Sequence, residues 1–209
     1  MQYAISENFG LGVKKAIFQT NVCLIILIAM KIGGREEIIA AATRIIAFSG
    51  LDQLTMQSLA EELGMNKASL YHWYRSKEEI LEAVFAEGHR RFMEKGFRLN
   101  LEGSAKEVLT RAADQWTMIF SDETQLPYLR AVFSLRYSDP RAEDEAKALS
   151  LMLRSQTDVI ISSLGKEDPF LSSLFAALLL QHLESILEGG NEDFRKDAEA
   201  FASLISETH

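Results

Sequence analysis

Apolar residues recur at helical spacing along most of the chain from Arg35 onward. The first clear segment ends at Gly50, a left-handed stop, and has its apolar positions at Ile38, Ile39, Ala42, Ile45, Ile46 and Phe48. Another long helix is expected from Lys77 towards Lys95. Beyond it, the spacing predicts helices at about Ser104–Phe120, Pro127–Tyr137, Arg141–Leu164, Pro169–Leu187 and Asp193–Ser206. The pattern predicts an all-α fold.

Two short helices are predicted between these longer ones. Thr55 stands as an N-cap before "QSLAEELG", in which Leu59 and Leu63 share one face and Gly64 ends the helix. After the turn "GMN", Asn66 caps a third helix that runs to about Tyr74. Two short helices joined by a glycine-containing turn are the signature of a helix-turn-helix, whose second helix enters the DNA major groove.

The spacing also separates an inner from an outer face on this third helix. Leu70 and Tyr74 lie four residues apart and are expected to face inward, which leaves the outer and flanking sides to Lys67, Ser69, Tyr71, His72 and Trp73. A solvated basic helix on an ordinary helical bundle is the alternative interpretation.

Charge restricts where a polyanion could bind. The chain has a formal charge of −8, which argues against non-specific coating of nucleic acid or of an anionic membrane. Between Leu63 and Lys77, however, stand Lys67, Arg75 and Lys77 without an acidic residue. A local basic window in an acidic chain favours phosphate contact at one place.

The segment "TMQSLAEELGMNKASLYHWYRSKEEIL" resembles the DNA-binding signature of the TetR/AcrR family of transcriptional repressors. The resemblance covers about Arg35 to Phe85 and fixes many side chains as well as the lengths of two turns. It implies a DNA-binding head of residues 31–76 and a helical regulatory and dimerisation body of residues 77–209, acting together as a ligand-released repressor. The operator would be double-stranded DNA with an inverted repeat.

The resemblance also implies roles for single residues. Thr55 would cap the second helix and approach a phosphate, and Asn66 would cap the recognition helix. Base edges would be contacted by Lys67 and Ser69, while phosphate or a thymine methyl would be contacted by Tyr71 and His72, with the DNA backbone anchored by Lys77. Ala68 and Trp73 depart from the family pattern, which often has glycine and histidine there.

The body is expected to dimerise and to hold a small molecule. "PFLSSLFAALLLQHLESIL" is apolar on several faces, and an apolar stripe follows in the last helix at Phe194, Ala198, Phe201, Leu204 and Ile205, so the simplest arrangement pairs these two helices with their copies in a homodimer. An apolar or amphipathic effector would contact residues of the middle helices, namely Trp116, Phe120, Tyr128, Phe133, Tyr137, Met152, Gln156 and His182. Ordinary core packing is the alternative for each of them, and for His182 in particular a satisfied core histidine.

Residues 1–30 are treated as an extension. The apolar run "VCLIILIAM" is too short for a membrane span, and no small-residue cleavage site follows it. Two interpretations stay open: an additional helix or strand packed on the body, or upstream sequence joined by a start-site error, with Met30 as the natural first residue. We therefore expect a cytoplasmic protein without a membrane partner.

The sequence contains no recognisable catalytic motif. There is no nucleophile turn, phosphate-binding glycine loop or metal-ligand spacing, and Cys23 is the single cysteine, so neither a metal nor a cofactor is expected. Two alternatives to a DNA-binding regulator remain, a helical adaptor that uses the head for protein contacts and, with less support, an all-helical enzyme.

Overall fold

The computed structural model describes residues 34–96, 98–190 and 193–207, and within them the chain forms helices and loops without a strand. The helices are α1 (residues 34–49), α2 (Met56–Glu62), α3 (Lys67–Trp73), α4 (Lys77–Lys95), α5 (Ala105–Phe120), α6 (Leu126–Leu135), α7 (Pro140–Ser163), α8 (Pro169–Glu188) and α9 (Phe194–Glu207). The all-α prediction is confirmed. Both interpretations of residues 1–30 fall outside the described residues.

The helix ends follow local chemistry. The side chains of Ser76, Ser104, Asp139 and Asp168 each accept a hydrogen bond from a backbone N–H in the first turn of the helix that follows. Gly189 ends α8 in the left-handed conformation at φ 88°. Because caps and prolines act over a few residues, the predicted bounds agree with the observed ones to within two residues.

The first three helices share a core around Ile38, Ala42, Ile46, Leu59 and Leu70, none more than 1% exposed. Phe48 was expected on the same buried face of α1, and this prediction is wrong, because its side chain is 59% exposed. Its ring instead lies under the guanidinium of Arg130 in α6, 5.0 Å from ring centroid to Cζ. The end of α1 therefore contacts the body.

The apolar stripe of α9 is covered within the subunit. Phe175 of α8 stacks on Phe194 and Phe201, with ring centroids 6.1 and 5.1 Å apart, and the helix also packs along α5. Of the five stripe residues only Leu204 is exposed, at 49%. The stripe thus gives no support to the inference of a second subunit that we drew from it.

Helix α8 exposes two apolar residues, Phe170 and Ala177, on an outer side that also carries Ser173, Gln181 and Glu184. By length and composition alone it is apolar enough to cross a membrane, a test that the core helix of a soluble protein also passes, and 44% of its most apolar window is buried. Its inner side contains Leu171, Phe175 and Leu179, whereas Phe170 is 68% exposed and Ala177 is exposed. Another protein surface could therefore pack against this outer side of α8.

A polar junction joins α4 to α6 and α7. Tyr128 of α6 packs its ring on Gly88 of α4, and its hydroxyl donates to Glu145 Oε2 of α7 at 2.7 Å. The same carboxylate oxygen lies 2.9 Å from His89 Nδ1 of α4. Burial, together with the hydrogen bond to Glu145, raises the pKa of the Tyr128 phenol far above its usual range. Helix α4 is therefore fixed to α6 and α7 at Gly88 and His89, in its C-terminal half.

Candidate nucleic-acid interface

The turn between α2 and α3 is closed by backbone hydrogen bonds across a glycine. Gly64 has φ 61°, a conformation that strains other residues, and the N–H of Met65 reaches back to the carbonyl of Ala60 at 2.9 Å. Ala60 is 3% exposed, so a larger side chain there would separate the two helices. The turn fixes the angle between α2 and α3 in the arrangement of a helix-turn-helix.

Thr55 caps α2 as the sequence predicted. Its hydroxyl accepts from the N–H of Ser58 at 3.0 Å, and the Ser58 hydroxyl accepts from the N–H of Thr55 at the same distance, forming a capping box. The Ser58 hydroxyl also donates to the carbonyl of Gln53 at 2.6 Å. The exposed end of α2 is thereby held against the preceding 3-10 turn, Leu51–Gln53.

Asn66 caps α3, again as predicted. Its Oδ1 accepts from the N–H of Ser69 at 2.7 Å and from the Ser69 hydroxyl at 3.0 Å. Because the cap takes the hydroxyl proton, Ser69 presents mainly an acceptor to anything outside. Lys67, at the first position of α3, is exposed and follows the cap directly. The helix end therefore presents one cation and partly unsatisfied backbone N–H groups.

The two faces of α3 divide as the spacing predicted. Leu70 is fully buried and Tyr74 is 2% exposed, and burying a leucine side chain stabilises a fold by roughly 1.5–3 kcal/mol. Tyr71 is 47% exposed and His72 is exposed. Trp73 is only partly buried and packs on the start of α1, where a Cβ built on Gly34 would lie 3.1 Å from the indole ring. The exposed residues of α3 are therefore Lys67, Ala68, Tyr71 and His72.

A contact that sequence reasoning missed joins the start of α1 to the end of α3. The Nε of Arg35 donates to the Tyr74 hydroxyl at 3.2 Å, and its guanidinium lies 5.3 Å from the centre of the same ring. Arg35 stands before the periodic part of α1, so no pattern singled it out. Together with the buried side chain of Leu70, this contact fixes the position of α3 relative to the start of α1.

Lys77 lies apart from the outer side of α3. Its ammonium donates to the carbonyl of Leu51 at 2.7 Å and so ties the start of α4 to the 3-10 turn before α2. A lysine has three N–H donors, and two remain for another acceptor. The sequence could not indicate this bond, because the two residues are 26 positions apart.

Acidic residues at the edges of the basic window are engaged by the fold. Glu79 Oε2 accepts from the backbone N–H of Arg75 at 2.7 Å, and Arg44 pairs with Glu62 at 3.4 Å. Lys67 and Arg75 have no ion-pair partner within the part of the chain that the structure describes. The outer surface between α3 and α4 can thus attract phosphate although the chain as a whole is acidic.

The predicted effector residues lie in separate places. Trp116, Met152 and Gln156 line a partly open cavity of about 140 Å³ between α4, α5 and α7. Phe133 and Tyr137 line a cleft of about 710 Å³ between α6, α7 and α8, and Tyr137 is 88% exposed. The sequence assigned all of these residues to one effector site, because helical periodicity does not show which helices surround a cavity.

The other three predicted effector residues belong to packed regions. Tyr128 forms part of the junction described above, and Phe120 stacks on Trp116 with centroids 5.0 Å apart. His182 is 3% exposed, stacks on Phe194 and has its Nε2 2.8 Å from the hydroxyl of Thr117. His182 is therefore a satisfied core histidine, the alternative that the sequence left open.

Comparison with known proteins places these features in a family. Residues 38–84 match the model of the bacterial regulatory proteins of the tetR family. The HTH-type transcriptional repressor Rv1474c of Mycobacterium tuberculosis is 29% identical over 82 residues, which cover 39% of this chain and 43% of that protein. An uncharacterized HTH-type transcriptional regulator of Haemophilus influenzae is 26% identical over 157 residues, or 69% of this chain and 80% of that protein.

Solved structures show the same fold beyond the matched segment. A TetR-like transcriptional regulator from Rhodococcus sp. RHA1 superposes with a TM-score of 0.61 at 18% identity, covering 80% of this chain and 93% of that one. The likeness thus includes the helical body as well as the helix-turn-helix. The resemblance drawn from the sequence is confirmed: residues 38–84 match the tetR family model, and the fold of the longer chain is similar to that of a TetR-like regulator.

Proposed function

We propose that this protein is a sequence-specific transcriptional repressor that binds an inverted-repeat operator as a homodimer and is released by a small molecule. One observation carries the proposal: the outer side of α3 presents Lys67, Tyr71 and His72 in a surface free of acidic residues from Leu63 to Lys77. The family and the relatives named as transcriptional regulators support the same activity. The division into a head of residues 31–76 and a body of residues 77–209 belongs to this proposal.

Each exposed group has a role that fits its chemistry. Lys67 and Ser69 contact base edges at the start of α3, with Lys67 as donor and Ser69 as acceptor. Tyr71 and His72 contact phosphate or a thymine methyl. Thr55 and Asn66 hold the two helix ends in place and lie beside the DNA backbone, and Lys77 uses its two remaining donors on phosphate.

A second subunit extends recognition along the DNA. One recognition helix reads only a few base pairs, whereas a two-fold pair reads two half-sites about 34–36 Å apart. The outer side of α8, with Phe170 and Ala177 exposed among polar residues, supplies a surface for pairing, joined by Leu204 of α9. Such a protein works in the cytoplasm, where its DNA lies.

Release follows from linkage between two sites. A ligand that binds better to a conformation with a different head spacing lowers DNA affinity by the same coupling free energy. Helix α4 transmits the change between the two sites, since it begins beside α3 and is fixed to α6 and α7 through Gly88 and His89.

Selection of bound duplexes from a random pool tests the proposal. Wild-type protein is expected to enrich an inverted repeat, and Lys67→Ala and Tyr71→Ala are expected to lose that enrichment. Lys106→Ala removes an exposed cation of α5, far along the chain from the head, and serves as the matched control that keeps wild-type selectivity.

Salt dependence separates DNA reading from an adaptor role. The operator affinity of the wild type should fall steeply as salt rises, because each phosphate contact releases a counterion. A folded dimer that enriches no sequence at low salt would contradict the proposal and favour protein contacts through the head.

A further inference from the structure

The 710 Å³ cleft has the size of a small-molecule site. Ligand pockets usually measure about 300–1,000 Å³, a range that also includes an adjacent cavity of about 430 Å³, whereas the cavity beside Trp116 holds only about 140 Å³. The cleft is lined by Phe133 of α6, by Arg136 and Tyr137 directly after that helix, and by residues of α7 and α8.

The cations of the cleft differ in how they are paired. Lys147 binds Glu143 at 2.6 Å, and Arg136 binds Glu184 at 3.4 Å. Arg154 lines the cleft without a carboxylate in ion-pair range anywhere in residues 34–96, 98–190 and 193–207. The lining therefore has one unmatched positive charge in a chain whose net charge is −8.

Apolar groups lie open beside that charge. Tyr137 is 88% and Leu151 is 68% exposed, and Leu180 and Ala146 complete the apolar lining. Covering such side chains with an apolar tail is favourable, and a guanidinium binds a carboxylate through paired hydrogen bonds. We propose that this cleft is the effector site and that it takes an amphipathic anion, with the headgroup on Arg154 and the tail along Leu151 and Tyr137.

This inference rests on the proposed function and adds a path from the ligand to the head. Arg136 at the end of α6 has its guanidinium 4.7 Å from the centre of the Tyr137 ring. Two turns earlier on the same helix, Arg130 lies over Phe48 of α1. Because α6 has only ten residues, a shift forced at its cleft end also moves its contact with α1. Anion binding thus reaches the head through α6 as well as through α4.

Calorimetric titration of the full chain with decanoate, below its micelle-forming concentration, tests the site. We expect saturable binding that Arg154→Gln weakens about tenfold, the effect of losing one charge-assisted hydrogen-bonded contact. Decan-1-ol, with the same tail and no charge, should bind more weakly and be insensitive to Arg154→Gln. Arg98→Gln is the control, an exposed arginine outside the cleft.

Other outcomes would overturn the inference. Binding that is unchanged in Arg154→Gln but weakened by Gln156→Leu would place the ligand in the cavity beside Trp116. Absence of saturable decanoate binding would reject the ligand class. Conversion of Arg154→Gln to a monomer in light scattering would identify the cleft as a subunit interface. The titration contains no DNA, so its result is independent of operator selection. If operator selection failed, the proposed function would be contradicted, but a positive titration would still show that the cleft binds the anion.

Discussion

The ring of Tyr128 lies against the backbone of Gly88, so close that a Cβ built on Gly88 would be 2.1 Å from Cδ2 of the ring. A glycine within a helix costs roughly 0.5–1 kcal/mol relative to alanine. Here that cost is offset by a contact that only glycine permits, since it brings α6 directly onto α4. The same tyrosine bonds Glu145, so three helices meet at this pair.

Gly88→Ala is therefore expected to destabilise the fold although alanine is the better helix former. The added methyl group must move the Tyr128 ring or separate α4 from α6, and overpacking of this kind costs about 1–3 kcal/mol. Urea unfolding measures the loss. Ala86→Gly, at an exposed position of the same helix, is the control, because it measures the effect of helix propensity on stability without a change in packing. A Gly88→Ala variant more stable than wild type would show that the ring moves aside without cost.

Acid should weaken the fold through Glu87 of α4. The side chain of Arg90, followed by that of Arg91, holds the pKa of this carboxyl at about 2, below its usual 4.5. The folded-state pKa is depressed, so the contribution is present above about pH 4.5 and is lost as the pH falls towards 2. Glu87→Gln should flatten the fall of the unfolding free energy in that range. Glu82→Gln, which changes an exposed glutamate of α4, should leave that fall unchanged. An equal effect of both variants would contradict the assignment of the acid sensitivity to Glu87.

Lys67 and Lys77 should separate DNA contact from stability. Lys77→Met removes the hydrogen bond to the Leu51 carbonyl and should lower the unfolding free energy by about 1 kcal/mol. Lys67→Met should leave stability within about 0.5 kcal/mol and should relax the selectivity of operator binding at the base pair that Lys67 contacts. Urea unfolding measures the stabilities, and selection of bound duplexes measures the selectivity. Equal stability losses in the two variants would mean that Lys67 also has a structural role.

Ala177→Arg should convert the proposed dimer to a monomer. The residue lies on the exposed side of α8, and a guanidinium at the centre of an apolar subunit contact would be buried without a partner. Light scattering of the purified protein gives the mass directly. Ala86→Arg, on the exposed side of α4, should leave the mass unchanged. A dimeric Ala177→Arg protein would show that the subunits pair through another surface.

Much of the head could be predicted from the sequence, because its determinants are local. Thr55 and Asn66 cap helices through atoms three residues away, and Gly64 supplies the positive φ of the turn. The inward position of Leu70 follows from helical spacing alone. The bounds of α4 to α9 were predictable for the same reason, since caps, prolines and glycines act within one turn of the helix end.

What covers each apolar face was decided only by the tertiary structure. Spacing identified the stripe of α9 but not its cover, which is α5 and α8 of the same chain rather than a second subunit. The bond of Lys77 to Leu51, the exposure of Phe48 and the separation of Met152 from Tyr137 likewise depend on residues distant in sequence. Sequence by itself determined the helices, their ends and the buried and exposed faces of α3, because hydrogen bonds and helical periodicity are local. The cavities and the contacts between distant helices were decided by packing, because the hydrophobic effect rewards burial without specifying the partner.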